Sequence, residues 1–422
     1  MRYWLYHLAT LLLNLPTRIF IRKIHIDGEE NFPSNKPVLL ACNHPNSFYD
    51  GVVFEYFYKY SSKIFTLARG DAFNKPLPNY VLRSFRLLPI YRARDARADV
   101  ARKRNSETND EMYEIFRKNN CILIFPEGSA YPEKDLRSLK RGTGGLAVEM
   151  AKKGDFELDL YVVPTALNYS EFGTLRRTVH ISYGKPISIK NLKEEIKTNE
   201  RKVMSEITKH IEKSLKKMVV ITKGENEAEK ELVHQMMVNE NQVPYQFLIK
   251  EKWNTSIEKA NNLAGSQLEK VAAYSKALKK LNLTDANVSE KSFNFLSMFV
   301  AIATMGISLP VYLIWAMIWY ITVKQCNKRI KNPIFIDSVI IGSGMIFTFL
   351  LFITVSVLFL VYAPTYWSLV FIVASIYGAI CWFRLVDAAP KIWKSLRWFG
   401  LKDDVRAQVK AQRQEIMSWV TS

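Results

Sequence analysis

The chain has 422 residues, enough for one large domain or two ordinary ones, and its 48% hydrophobic content supports a real core. A formal net charge of +19 suits an anionic partner, whether nucleic acid, acidic lipid or a phosphorylated substrate, and equally suits basic loops beside membrane segments. Two classes are excluded: Cys42, Cys121, Cys326 and Cys381 form no C-x-x-C pair and the six histidines are scattered, so neither a disulfide framework nor a metal site is expected.

The first predicted element is apolar and aromatic from Met1 to Phe20, basic at Arg18, Arg22 and Lys23, and interrupted by Pro16. It is too short to span a bilayer and no small-residue cleavage site follows. An interfacial anchor helix over 1–23 is expected, in preference to a secretory signal or a core helix. From 24 to 190, short β-rich runs alternate with helical stretches. The strand candidates are 38–43, 63–68, 87–92, 121–126, 160–169 and 179–187, and the clearest helix is 97–118. That alternation predicts an α/β domain with a largely buried sheet.

Between 191 and 291 the composition shifts to Lys, Glu and Asn. Leu192, Ile196, Val203, Ile207, Ile211, Leu215 and Met218 recur mostly at three- and four-residue steps, which predicts an amphipathic helical connector packed on the domain or a membrane face. Charge then disappears over 292–323, 338–362 and 365–383. The last two runs are long enough to cross a hydrocarbon core of about 30 Å. Lys324, Lys328, Arg329 and Lys331, and later Arg384, Lys391, Lys394 and Arg397, place the flanking loops on the cytoplasmic side by the positive-inside rule. An even number of crossings follows if the α/β domain is also cytoplasmic. Segment 292–323, with Gly306 and Pro310 near its middle, is then expected to turn back as a shallow hairpin within a membrane region at 292–384. A basic amphipathic tail, 385–422, ends the chain.

Three sets of residues carry chemistry. The first is Asn43-His44-Pro45-Asn46-Ser47-Phe48-Tyr49-Asp50, between a predicted strand and a predicted helix. A carboxylate that accepts from one imidazole nitrogen fixes the tautomer, leaving the other nitrogen to take a proton from a hydroxyl. The second is Phe125-Pro126-Glu127-Gly128, again at a strand end, where Gly128 lets a ligand approach the backbone. The third comprises Arg69 and Arg92 at strand ends and Lys140 in the loop before Gly142, cations suited to phosphate. Cys42 shares a strand face with His44, but its place at the end of an apolar run points to a buried, inert thiol.

In order and spacing these residues resemble the four sequence blocks of the glycerol-3-phosphate and lysophosphatidate acyltransferase superfamily. Asn43, His44 and Asp50 resemble the N-H-x4-D block, LLPIYR ending in Arg92 the second, and Phe125–Gly128 match F-P-E-G residue for residue. Lys140-Arg141-Gly142 follows as in the family; Val162-Val163-Pro164 resembles the fourth block, and YGKPI at 183–187 the closing strand. One departure stands out: five residues separate His44 from Asp50, and Tyr49 holds the usual aspartate position. A relaxed spacing of this kind also resembles the fungal-type glycerol-3-phosphate acyltransferases.

The resemblance covers 24–190 and implies a mixed sheet flanked by helices, with His44 as base and Asp50 orienting it. It implies that Arg69, Arg92 and Lys140 bind the acceptor's phosphate and that Glu127 and Gly128 position its glycerol part. It further implies an acyl-coenzyme A or acyl carrier protein donor, no cofactor, and lysophosphatidate as acceptor. Glycerol-3-phosphate and a lyso-aminolipid are the alternative acceptors. An integral membrane location with a cytoplasmic catalytic domain accompanies that reading. The altered spacing motivates a competing one, a non-catalytic lipid-binding membrane protein. The charge alone motivates a nucleic-acid binder, for which no aromatic RNA-binding signature or helix-turn-helix pattern exists.

Overall fold

The computed structural model describes residues 21–91 except 59 and 61, 98–172, 176–222, 224–240, 262–289, 319–362 and 392–421, with isolated positions elsewhere. They form two compact units, Met1–Ile221 with Pro333–Ser338, and Thr222–Asn332 with Val339–Ser422.

The first unit is built on a sheet. Its strands are β1 (Ile21–Asp27), β2 (Val38–Cys42), β3 (Ile64–Arg69), β4 (Leu87–Ile90), β5 (Cys121–Ile124), β6 (Tyr161–Tyr169), β7 (Arg177–Tyr183) and β8 (Ile187–Ser188). The order is β1-β7-β6-β2-β5-β3-β4, with β8 on β6. Every residue of β2 and β5 is buried, as expected for continuous apolar runs in a sheet covered on both faces. β2 is parallel to β5 and β6, and β3 is parallel to β4 and β5, whereas β6 meets β7 and β8 antiparallel. The sheet is therefore mixed. The carboxyl ends of β2 to β6 share one edge, and the first residue of antiparallel β7, Arg177, lies at that same edge. In open α/β sheets this edge is where ligands bind.

One expectation is corrected here. The anchor helix predicted over 1–23 gives way to strand from Ile21, which pairs in parallel with β7, Ile24 opposite Val179. Arg22 and Lys23 look like a membrane flank in sequence, but on an edge strand both are exposed, with Arg22 Nη2 reaching Thr178 Oγ1 at 3.5 Å. Most of residues 1–20 lies outside the described residues; Tyr6, which is described, accepts a hydrogen bond from Arg86 at 3.1 Å.

Helices cover the sheet: α1 (Phe48–Phe57), α2 (Pro76–Ser84), α3 (Ala98–Arg117), α4 (Gly142–Lys153) and α5 (Lys193–Met218). Phe116 and Met112 of α3, Leu146 and Met150 of α4, and Val203, Ile207, Ile211 and Leu215 of α5 join Leu39, Ile122 and Val162 in one core. α4 crosses α5 closely because residue 144 is glycine: a Cβ there would lie 2.3 Å from the Met204 carbonyl oxygen. α5 is interrupted at Asn199 (φ −151°, ψ 81°), whose Oδ1 accepts from Lys202 N at 3.1 Å and so caps the restarted helix. With α5 packed on the sheet, the compact unit reaches Ile221, beyond the expected boundary at 190.

The second unit contains α6 (Glu227–Glu240), α7 (Gly265–Leu281), most of α8 (Ile336–Tyr362) and α9 (Asp403–Thr421). Val233, Met236, Val271, Leu278, Trp398 and Ile416 build its core. Among the described residues no helix is long and apolar enough to cross a membrane. α8 has 27 residues with Asp337 its one charge, but the side chains at 345, 348, 351, 352, 359 and 360 are outside the description. Of the expected spans, 338–362 falls within α8; 365–383 lies, isolated positions apart, outside the described residues, and of the hairpin 292–323 the described part is its helical end, 319–323, with isolated positions before it.

Candidate active site at the carboxyl edge of the sheet

β2 ends at Cys42 and delivers Asn43 and His44 to the ligand edge. The Asn43 amide brackets the neighbouring strand, donating to Leu167 O at 3.0 Å and accepting from Leu167 N at 2.7 Å. This extends the ladder by one side-chain rung and fixes where His44 begins.

His44 Nδ1 lies 2.8 Å from Asp50 Oδ2. The imidazole is 17% exposed and the carboxylate 0%. No described residue hydrogen-bonds the other ring nitrogen. Phe125 stacks on the ring, 3.7 Å between centroids and 11° from parallel. Asp50 is held from every side: Oδ2 also accepts from Asn46 N at 2.8 Å, and Oδ1 from the Tyr169 hydroxyl at 2.7 Å. Burial and the adjacent Asp50 charge push the Tyr169 phenol well above its ordinary range, so it stays a donor.

The extra residue between His44 and Asp50 is absorbed at Ser47, whose φ of 51° and ψ of −134° are those of the first central residue of a type II′ turn. Tyr49 N closes that turn on Asn46 O at 3.2 Å. The turn carries Asp50 one position further along while returning its carboxylate to the imidazole. Tyr49, at the usual aspartate position, is buried instead, with Arg177 Cζ 5.9 Å from its ring centroid.

β5 delivers Phe125-Pro126-Glu127-Gly128 beside this pair. Glu127 Oε1 accepts from the backbone N–H of His44 at 2.7 Å, and Oε2 from that of Arg137 at 3.2 Å. Burial raises the Glu127 carboxyl, and these two amides oppose the shift. Gly128 sits at φ 71°, a left-handed conformation that favours glycine, and beside it Lys140 N donates to Pro126 O at 2.8 Å.

The same stretch stands out in comparison with known proteins. Residues 23–168 match the family model described as Acyltransferase. Glycerol-3-phosphate O-acyltransferase 2 of Saccharomyces cerevisiae is 30% identical over 112 residues, 26% of this chain and 15% of that protein. Glycerol-3-phosphate O-acyltransferase 1 of the same yeast is 26% identical over 196 residues, 44% of this chain and 25% of that protein. This stretch is similar to an acyltransferase domain. The match spans a quarter or less of either yeast protein's length. A solved structure, the 1-acyl-sn-glycerophosphate (LPA) acyltransferase PlsC from Thermotoga maritima, is 18% identical with a TM-score of 0.33, covering 48% of this chain and 78% of that one.

Not every expected site residue meets the His44–Asp50 pair. Arg69 ends β3 on the ligand edge, where its exposed guanidinium holds Asp71, Nε to Oδ1 at 3.1 Å. Lys140 is exposed. Arg92 lies outside the described residues. Glu127, expected to position the acceptor, engages two backbone amides and so fixes the loop that carries His44. Cys42 is wholly buried and burial raises its thiol well above the ordinary range, which suits an inert side chain and not a nucleophile.

Three residues beside the pair lie outside the sequence motifs, Tyr169, Arg177 and Asp337, and Asn46 lies within the first motif with no role assigned to it there. Arg177 forks onto Asp337, Nη2 to Oδ1 at 2.8 Å and Nη1 to Oδ2, and Asn46 Nδ2 reaches Asp337 Oδ2 at 2.7 Å. An aspartate before a long apolar run was the one available clue, since a charge at a helix start needs a partner when buried.

Proposed function

We propose that the protein is a glycerolipid O-acyltransferase, moving a fatty acyl group from an acyl thioester to the hydroxyl of a phosphorylated glycerol acceptor. The observation that carries this reading is the His44–Asp50 contact at 2.8 Å beside a ring nitrogen that no described residue engages. Asp50 holds the proton on Nδ1, so Nε2 presents its lone pair and takes the hydroxyl proton. The alkoxide oxygen bonds to the thioester carbon, the C–S bond breaks, and the leaving thiolate recovers the proton from the imidazolium. A base so placed contributes about 10²–10⁴-fold. No covalent acyl-enzyme is needed.

Two acceptors fit, lysophosphatidate and glycerol-3-phosphate. The names of the two yeast relatives favour glycerol-3-phosphate. Arg69 and Lys140, exposed near the ligand edge, are the described cations proposed for its phosphate, with Arg92 beside them in sequence. Acyl-coenzyme A and acyl carrier protein both remain as donors.

The reading extends to a membrane location with the catalytic domain on the cytoplasmic side. Its support is the uncharged runs at 292–323, 338–362 and 365–383 and the exposed apolar face of α8, where Ile346, Phe347, Leu350 and Val361 are each more than half exposed. Single cysteines near Lys291 and Lys328, in a background lacking the native four, are expected to label from the same side of intact cells. Labelling from opposite sides would replace the hairpin by a crossing.

Membranes from cells expressing the chain, given labelled acyl donor and a panel of glycerol-3-phosphate, lysophosphatidate and lyso-aminolipid, test the function. Labelled lysophosphatidate or phosphatidate above the level of control membranes is expected. Label only in the aminolipid would assign a different acceptor class, and label in none would sink the enzymatic reading in favour of lipid binding.

A further inference from the structure

The fork between Arg177 and Asp337 lies 160 positions apart in sequence and is buried, the side chains 0% and 3% exposed. Asp337 is contributed by Pro333–Ser338, a short piece of the C-terminal half that belongs to the first compact unit. It joins that unit next to the reacting pair. Asp337 Oδ2 accepts from the Asn46 side chain at 2.7 Å, and the backbone N–H of the same Asn46 donates to Asp50 Oδ2 at 2.8 Å. That oxygen is the one facing His44 Nδ1. On the other side, Arg177 Cζ stands 5.7 Å from the ring of Tyr169, whose hydroxyl holds the second oxygen of Asp50.

Asn46 is also the first residue of the turn that absorbs the extra residue at Ser47. The positive φ there makes the turn a conformation that serine adopts reluctantly, so something must hold it. The arrangement supplies a hold: a carboxylate fixed by a bidentate guanidinium, gripping the turn's first side chain.

We infer that Asp337 is a positioning residue. Anchored by Arg177, it pins Asn46 and thereby keeps Asp50 against His44 despite the five-residue spacing, so the α/β domain's site is complete only with residues 333–338 of the C-terminal half. The inference rests on the proposed acyl transfer for its kinetic consequence, but not for its structural one.

The test uses the full chain and two variants. Asp337→Ala removes the anchor. Asn46→Ala removes only the side-chain link and leaves the Arg177–Asp337 pair intact, so it remains informative if Asp337→Ala does not fold. Each is expected to lower kcat about tenfold or more, since small misplacements of a reacting group are costly, while both KM values stay within about twofold. The double variant is expected to lose no more than the worse single one. A second readout is independent of turnover: the pH dependence of His44 carbethoxylation by diethylpyrocarbonate, followed by peptide mass spectrometry. The acidic groups facing the imidazole are Asp50 and Glu127. In Asn46→Ala a displaced Asp50 stabilises the imidazolium less, so the half-maximal pH is expected to fall by about half a unit or more. A folded Asn46→Ala with wild-type kcat and an unshifted profile overturns the inference. If the wild type transfers no acyl group at all, the functional reading fails, and the carbethoxylation profile still decides the positioning role.

Discussion

Each compact unit buries one aspartate against a tyrosine hydroxyl and a cationic or basic side chain, and only one of the two arrangements can do chemistry. In the first unit Asp50 accepts from Tyr169 at 2.7 Å and faces His44 at 2.8 Å. In the second, Asp285 accepts from Tyr274 at 2.8 Å and from Arg413 Nε at 2.8 Å, with Arg413 Nη2 at 3.3 Å. The partner makes the difference. A guanidinium never gives up its proton near neutral pH, and here it is 9% exposed, so the Asp285 cluster ties α7 to α9 and does no more. An imidazole exchanges a proton in the working range, and no described residue hydrogen-bonds the second nitrogen of this one. A buried carboxylate with a tyrosine is therefore no sign of a site by itself; a titratable, half-open third partner is.

Substituting the two aspartates separates the cases most sharply. Asp50→Asn is expected to lower kcat by roughly 10²-fold or more with a near-normal unfolding midpoint. Asp285→Asn strands a buried guanidinium and is expected to destabilise by about 3–5 kcal/mol, while the folded fraction turns over at nearly the wild-type rate. A silent Asp50→Asn, or a folded and inactive Asp285→Asn, breaks the distinction. Next in size is Arg69→Ala, and Arg92→Ala with it. Each is expected to raise the acceptor KM by about three- to tenfold, the scale of one charge-assisted contact. A rise confined to the thioester KM would move these arginines to the donor's phosphates.

Smaller effects probe what holds Asp50 in place. At Ser47, glycine is expected to be tolerated, whereas Ser47→Val costs about 1–3 kcal/mol because its φ is positive. Equal midpoints for the two variants would mean that the turn adapts. A half-buried carboxylate, Glu55, has the Arg86 guanidinium at 3.5 Å to offset its burial in part, and burial raises it to about 7. The folded state then keeps a proton that the unfolded state releases near the usual 4.5, so this contribution to stability is present below about 4.5 and is lost as pH rises through about 7. Glu55→Gln is expected to flatten the fall in midpoint over that window, and an unchanged slope would assign the slope to other groups.

How much of this was legible in sequence depended on what each residue answers to. β2, β5 and β6 announced themselves because a strand covered on both faces needs an unbroken apolar run. His44, Asp50 and Phe125–Gly128, which the structure brings together, stand out in sequence because their order and spacing resemble the family's blocks. β1 was missed because an edge strand admits Arg22 and Lys23, which read equally well as a membrane flank. Glu127 is a candidate in sequence for positioning the acceptor, and its bonds to the backbone of His44 and Arg137 depend on loop geometry that no spacing records. Tyr169, Arg177 and Asp337 act through pairings far apart in the chain, and no local pattern records those. The φ of Ser47 is likewise invisible to spacing, which showed only that one residue was extra.

The most direct measurement is a comparison of purified wild type and His44→Ala, given a labelled acyl thioester with glycerol-3-phosphate and, separately, lysophosphatidate. The wild type is expected to form the acylated product with at least one of them. His44→Ala, folded and equally lipid-associated, is expected to retain about 1% of that rate or less. Near-normal product formation by His44→Ala would contradict the assignment of His44 as the base.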